Sequence, residues 1–178
     1  MPICEISTKP SDTGDVITNW AEPLNNHWFF DHRIYIFDLD GTIADIRHRL
    51  NYIVGPEKDW DSFFKSCVKD RVYKDIAFII KDLVKANDTE IWIVSGRSSK
   101  VAKETIDWLN KHWIFFSRLF MRTEDDHRPD ADLKEEWLNA IPWNIREKIQ
   151  CVFEDRTRVV ERWRYLGLTC LQVSAGDY

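Results

Sequence analysis

The sequence predicts an α/β fold: a mostly parallel sheet with helices on both faces. Two observations predict it. Short apolar runs alternate along the chain with stretches of helical periodicity, and a run without in-out alternation is what a strand covered on both faces requires. Several of these runs also end in polar clusters, and ligands bind outside the carboxyl ends of strands in open sheets.

The first run, Ile34-Tyr35-Ile36-Phe37, passes straight into Asp38-Leu39-Asp40-Gly41-Thr42, two acids one residue apart and then a turn. Ahead of it, residues 1–31 carry Pro2, Pro10, Gly14 and Pro23 among Ser, Thr, Asp and Asn, which predicts an irregular N-terminal extension. That extension either packs by its aromatic end or touches substrate as a flexible arm. After Thr42, residues 45 to about 73 read as a small cap insertion, broken at Gly55-Pro56 and carrying a short helix between Asp59 and Val68. Ile76, Ile79, Ile80, Leu83 and Val84 then repeat with the spacing of a helix that buries one face.

The second run, Ile91-Trp92-Ile93-Val94, delivers Ser95-Gly96-Arg97 at its end, and a helix follows from Ser98 to about Lys111 with Ala102, Ile106 and Leu109 inward. Ile114 to Met121 predicts a third strand, followed by the polar loop Arg122 to Pro129. A helix opening near Asp130 carries Lys134 in its first turns, with Leu133, Trp137 and Leu138 on its apolar face. The fourth run, Gln150 to Phe153, ends in Glu154-Asp155-Arg156. A helix to Leu166 buries Val159, Val160, Trp163 and Leu166, Gly167 suits its C-cap, and Leu168 to Val173 is the last strand.

With 178 residues and 44% hydrophobic side chains, the chain reads as one domain, 1–178, able to bury a full core. A net charge of −5 argues against a broad basic face that coats nucleic acid, and leaves room for a local phosphate contact. The nine tryptophans read as core and helix packing rather than as base-stacking platforms. Cys4, Cys67, Cys151 and Cys170 show no C-x-x-C spacing, so reduced thiols are expected, as in cytoplasm. Neither a signal peptide nor an apolar run approaching about 18 residues is present, so no membrane association is expected.

Asp38 with Asp40, Ser95 with Arg97, Lys134, and Glu154 with Asp155 are thus four polar groups at one sheet rim. Two acid clusters suit a hard divalent cation such as Mg²⁺, which takes oxygen ligands. A hydroxyl and an ammonium beside them would bind phosphoryl oxygens and offset their charge. An in-line aspartate then makes the chemistry a displacement on phosphorus through an aspartyl-phosphate, while a second aspartate protonates the leaving oxygen and later activates water.

This ordered set resembles the haloacid dehalogenase (HAD) phosphohydrolase superfamily over residues 34–178. The resemblance implies a Rossmann-like sheet, Asp38 as nucleophile and Asp40 as general acid/base. It implies Mg²⁺ held by the Asp38 carboxylate, the Asp40 backbone carbonyl and Asp155, with Glu154 orienting a metal-bound water. Val94 to Ser98, Arg128 through Asp130 to Glu136, Asp155 to Arg164 and the ending Gln172 to Tyr178 are similar to the 3'-phosphatase domain of phage polynucleotide kinase-phosphatase. That likeness implies that Arg49, Arg97, Arg122 and Asp130 bind the nucleotide end or support phosphate contacts, with Thr42 beside them. Each arginine alone reads equally well as a surface charge, and Asp130 as a helix-start acid.

In two places the chain departs from the family. Glu154 stands where the phage family more often has Asp, and no G-x-x-x-x-G-K-[ST] occurs, so 5' kinase activity is not expected. The expected function is a Mg²⁺-dependent phosphatase acting on 3'-phosphates of nucleic acid ends or nucleotides. Two alternatives stand beside it. One is a phosphatase of free nucleotides or other small phosphate esters, which the acidic charge favours. The other is a non-catalytic nucleic-acid repair module, resting on the run Arg156 to Arg164, which itself reads as the solvated face of an amphipathic helix.

Overall fold

The computed structural model describes residues 32–176; the N-terminal extension, with Cys4, Trp20 and Trp28, and the final Asp177 and Tyr178 lie outside the described residues. In chain order, β1 (Arg33–Phe37) leads to β2 (Ala44–Asp45), α1 (Trp60–Lys65) and β3 (Arg71–Val72). Then come α2 (Lys74–Leu83), β4 (Thr89–Ser98), α3 (Ala102–Lys111), β5 (Arg118–Arg122) and α4 (Asp130–Ala140). The chain closes with α5 (Trp143–Arg146), β6 (Ile149–Glu154), α6 (Thr157–Tyr165) and β7 (Cys170–Gln172). Five strands form a sheet in the order β5-β4-β1-β6-β7, with every pairing parallel. β2 and β3 pair antiparallel as a separate ribbon, and the segment between them holds α1 and two 3-10 turns.

Side-chain alternation divides the core into two layers. Ile34 and Ile36 of β1 and Trp92 and Val94 of β4 pack with Leu133 and Trp137 of α4 and with Val159 and Trp163 of α6. Phe37, Ile91 and Ile93 point the other way, onto Ile76 and Ile80 of α2 and Trp108 and Leu109 of α3. Phe37 and Phe153 stack at 4.3 Å, joining β1 to β6 beneath the rim. Burying each such large apolar side chain stabilises the fold by about 1.5–3 kcal/mol, so the sheet is a stiff base for whatever sits on its edge.

Three segments differ from the sequence expectation. α2 buries Ile76, Ala77 and Ile80, whereas Ile79 is 39% exposed, because a helix on a sheet covers a stripe only about 100° wide. Ile114 does not begin a strand: its N–H bonds the Leu109 carbonyl at 3.0 Å and Trp113 adopts φ 58, so these residues close the end of α3. β4 runs on past its apolar stretch through Ser98, with a register shift against β5 between Ser95 and Ser98. That irregularity turns Arg97 into the interior. Cys67, Cys151 and Cys170 are free, buried thiols.

Candidate active site

The carboxyl ends of β1, β4 and β6 converge on one cleft of about 520 Å³. β1 hands over directly to Asp38, whose N–H donates to the Phe153 carbonyl at 2.9 Å, so the ends of β1 and β6 are locked together. Gly41, at φ 95, supplies the left-handed turn that follows Asp40 and donates to the Ala44 carbonyl at 2.9 Å.

Lys134, in the first turns of α4 and 1% exposed, gathers the first cluster. Its Nζ lies 2.6 Å from Asp38 Oδ1, 2.7 Å from Glu154 Oε2 and 3.1 Å from Asp130 Oδ2. Burial pulls this ammonium toward neutrality, but Asp130, Asp38 and Glu154 outweigh it and hold it charged. The acids respond in the opposite sense. Burial pushes the Asp38 carboxyl well up, and Glu154 adds to the push against the pull of Lys134. Glu154 is raised as well, by burial first.

Asp38, Glu154 and Asp155 each present a carboxylate oxygen within 4.8 Å of the others, all buried. An all-oxygen donor set with more negative charge than one ammonium offsets fits a hard divalent cation. The second Glu154 oxygen accepts from the Asp155 and Arg156 N–H groups at 3.2 and 3.3 Å. Glu154 is therefore committed through both oxygens, and Asp38 and Asp155 are the better direct ligands. Asp155 is itself supported: the Thr42 hydroxyl donates to it at 3.3 Å, and Gly176 lies so near that a Cβ there would fall 2.1 Å from Asp155 Oδ2. Thr42, expected at the substrate, is thus wholly buried behind an acid of the cluster.

Asp40 turns away from these acids into a second cluster. Its carboxylate accepts from Arg49 Nη2 at 2.7 Å and from Arg97 Nη2. Burial pushes Asp40 up, but Arg49 and then Arg97 hold it well below the usual carboxylate range, so it is ionised here. Behind both arginines sits Asp70, which no sequence motif marks. It receives Arg49 Nε and Nη2, each at 2.8 Å, and Arg97 Nη2 at 3.1 Å, and His48 Nε2 lies 2.8 Å away. Arg49 and Arg97, expected at the nucleotide, are buried and face Asp40 and Asp70; Arg97 also borders the cleft.

Ser95 is fully buried and its Oγ accepts the Arg97 N–H at 3.2 Å, holding the bend in β4. Arg122 borders the cleft, donates through Nε to the Gly96 carbonyl at 2.9 Å and through Nη1 to the Arg128 carbonyl at 2.7 Å, and approaches Asp130 at 3.5 Å. A Cβ on Gly96 would lie 2.2 Å from Asp130 Oδ1, so only glycine lets α4 start this close to β4. Arg156 and Arg158 line the cleft too, at the start of an α6 that buries Val159, Val160 and Trp163 and leaves Arg158, Glu161 and Arg164 exposed, the amphipathic helix read from the sequence. Arg156 Nη1 lies 3.8 Å from Asp130.

Residues 32–178 match the family described as "Polynucleotide kinase PNKP phosphatase domain". The chain belongs to that family. It is 32% identical over 149 residues to the Autographa californica nuclear polyhedrosis virus protein called "Putative bifunctional polynucleotide kinase/RNA ligase", covering 82% of this chain and 20% of that protein. A chain of the Pnkp1/Rnl/Hen1 RNA repair complex is 28% identical with a TM-score of 0.70, over 83% of this chain and 44% of that one. The present chain therefore spans less than half the length of these relatives. The haloacid dehalogenase-like protein SP0104 from Streptococcus pneumoniae, 15% identical with a TM-score of 0.51, covers 80% of this chain and 84% of its own and shares the fold. So does the HAD hydrolase YfnB from Bacillus subtilis, whose structure is bound to magnesium, at 13% identity, TM-score 0.55 and coverage of 82% and 94%. The polynucleotide kinase-phosphatase likeness and the Rossmann-like α/β class read from the sequence both hold. Among the described residues, no helix is long and apolar enough to cross a membrane.

Proposed function

We propose that this HAD-type phosphatase domain removes the 3'-phosphate from nucleic acid ends, using Mg²⁺ and an aspartyl-phosphate on Asp38. What supports the reading most is the division of labour between two acids one residue apart. Asp38 faces Lys134 and the Glu154/Asp155 acids, while Asp40 faces two guanidiniums. The relatives named for RNA ligation and RNA repair favour an RNA end. In this reading residues 32–178 are one phosphatase domain, and the segment between β2 and β3 is its cap.

Asp38 and Asp155 would hold Mg²⁺, with the Asp40 backbone carbonyl completing the protein ligands and Glu154 placing a water. Bound there, the ion would neutralise phosphoryl charge and keep the Asp38 carboxylate ionised. Asp38 attacks phosphorus; Lys134 and Ser95 bind the phosphoryl oxygens and offset their charge. Asp40 is ionised as it stands, the form that takes a proton from water in the second step. To protonate the leaving oxygen in the first step it must escape the arginine grip, and substrate phosphate competes for the same N–H groups of Arg97. Arg122 and Asp130 border the cleft where the nucleotide end would lie.

The test is phosphate release from a 3'-phosphorylated oligonucleotide, its 5'-phosphorylated isomer and a free 3'-nucleotide, each with and without Mg²⁺. Release from the 3' end alone, only with Mg²⁺, is the expected result. Equal turnover of both ends, or preference for the free nucleotide, overturns the specificity proposed here.

A further inference from the structure

Four of the seven described tryptophans are buried, and Trp113 and Trp143 are exposed away from the cleft. Trp60 alone among the seven is 46% exposed and lines the cleft. We infer that Trp60 is the platform on which the base of the phosphate-bearing nucleotide stacks. The inference rests on the function proposed above and adds the part of the substrate that the rim acids do not touch.

Three observations carry it. Trp60 is rigidly mounted: Phe63 meets it edge-on at 5.7 Å and Phe64 lies at 5.9 Å with a 27° tilt. A ring that is already fixed loses little entropy when a base settles on it. It also stands at a fitting remove from the chemistry. The Arg49 guanidinium, which holds Asp40, lies over Phe63 at 4.2 Å, so Trp60 is three contacts from the second acid, through Phe63 and Arg49.

The lining of the cleft varies in character as well. Along with Trp60, Leu50, Ile53 and Val54 leave apolar surface open, Val54 being 70% exposed. Elsewhere in the lining, Asp126 and Arg128 are tied to each other through Arg128 Nη2 at 2.6 Å. A base leaving the rim finds its π-face partner in the apolar part. The ammonium of Lys58 lies 5.6 Å over the Trp60 ring; being exposed, it yields that place at little cost and supplies positive charge for the polynucleotide backbone. An aromatic platform with a neighbouring cation is how single strands are bound without sequence preference.

The test compares a 3'-phosphorylated oligonucleotide with one identical except that its terminal residue is abasic. Wild-type protein should favour the base-bearing substrate by about 5- to 150-fold in kcat/KM, the span expected of one stacked base. Trp60→Ala should bring that ratio to about one, and Trp60→Phe should keep most of it. An unchanged ratio in Trp60→Ala, including an equal loss on both substrates, overturns the inference, as does a ratio near one in the wild type. Failure of the wild type to turn over either oligonucleotide overturns instead the phosphatase reading beneath it.

Discussion

Arg49 and Asp70 meet fork to fork, Nε and Nη2 of the guanidinium each 2.8 Å from a carboxylate oxygen, with both side chains sealed from solvent. Arg97 shares the same acid at 3.1 Å, so one carboxylate holds together the two cations that grip Asp40. Asp70→Asn removes the charge that lets two guanidiniums lie side by side. It should lower stability by about 3 kcal/mol and turnover by about 10- to 100-fold, chiefly in kcat. Urea unfolding with steady-state kinetics checks both, and lost stability with normal kcat would confine Asp70 to a structural role.

Lys134→Met leaves Asp38, Asp130 and Glu154 crowded without their cation. Turnover should vanish and stability fall by about 3–5 kcal/mol. The pH dependence has a definite sign. Asp38 and Glu154 already have raised pKa values in the fold, and losing Lys134 raises them further. The folded state then prefers them protonated, so the variant should be more stable at low pH and lose stability as pH rises. Urea midpoints of the metal-free variant at pH 5 and pH 8 decide it; a higher midpoint at pH 8 contradicts the account.

Gly96→Ala places a methyl 2.2 Å from Asp130 Oδ1, an atom on a side chain held by Lys134 at 3.1 Å. Displacing Asp130 should cost about 1–3 kcal/mol and most of the activity. Thermal unfolding and turnover together test it, and an unaltered melting temperature would show that α4 can shift freely.

Asp126 fastens the loop between β5 and α4, accepting from the Arg128 N–H at 2.9 Å and from its Nη2 at 2.6 Å. The Arg128 side chain, with help from the Arg128 N–H, holds the Asp126 carboxyl down at about 2 against an ordinary 3.8. A depressed acid stabilises the fold above its unfolded pKa, and that contribution is lost as pH falls from about 4 to about 2. Solvent screening limits it to no more than about 1 kcal/mol. Asp126→Asn should therefore unfold in less urea than the wild type at pH 6, with the difference gone near pH 2.

The sheet was legible because its cause is local. Ile34, Ile36, Trp92 and Val94 are apolar on one face and Phe37, Ile91 and Ile93 on the other, and an unbroken apolar run too short for a helix leaves little but a strand covered on both faces. Lys134 was legible for a similar reason: it shares α4 with Leu133, Trp137 and Leu138, so the apolar residues orient it. Asp70 was not. It lies between Lys69 and Arg71 like any solvated acid, and its importance comes from Arg49 and Arg97, 21 and 27 residues away in the chain. The Thr42 contact was hidden for the same reason, since its partner Asp155 is 113 residues distant. Ile114 looked like strand because composition does not reveal that Trp113 turns left-handed and folds the chain back on α3.

In the reaction proposed, Asp38 forms the bond to phosphorus while Asp40 moves the proton. A direct measurement uses Asp40→Asn, Mg²⁺ and radiolabelled 4-nitrophenyl phosphate, whose leaving group needs no proton. The expected result is a burst of nitrophenolate equivalent to the enzyme, then turnover slowed by about 10²- to 10⁴-fold, with the label mapping to Asp38 and absent from the Asp38→Asn/Asp40→Asn double variant. Label on another residue, or steady phosphate release by Asp38→Asn at the wild-type rate, would contradict it.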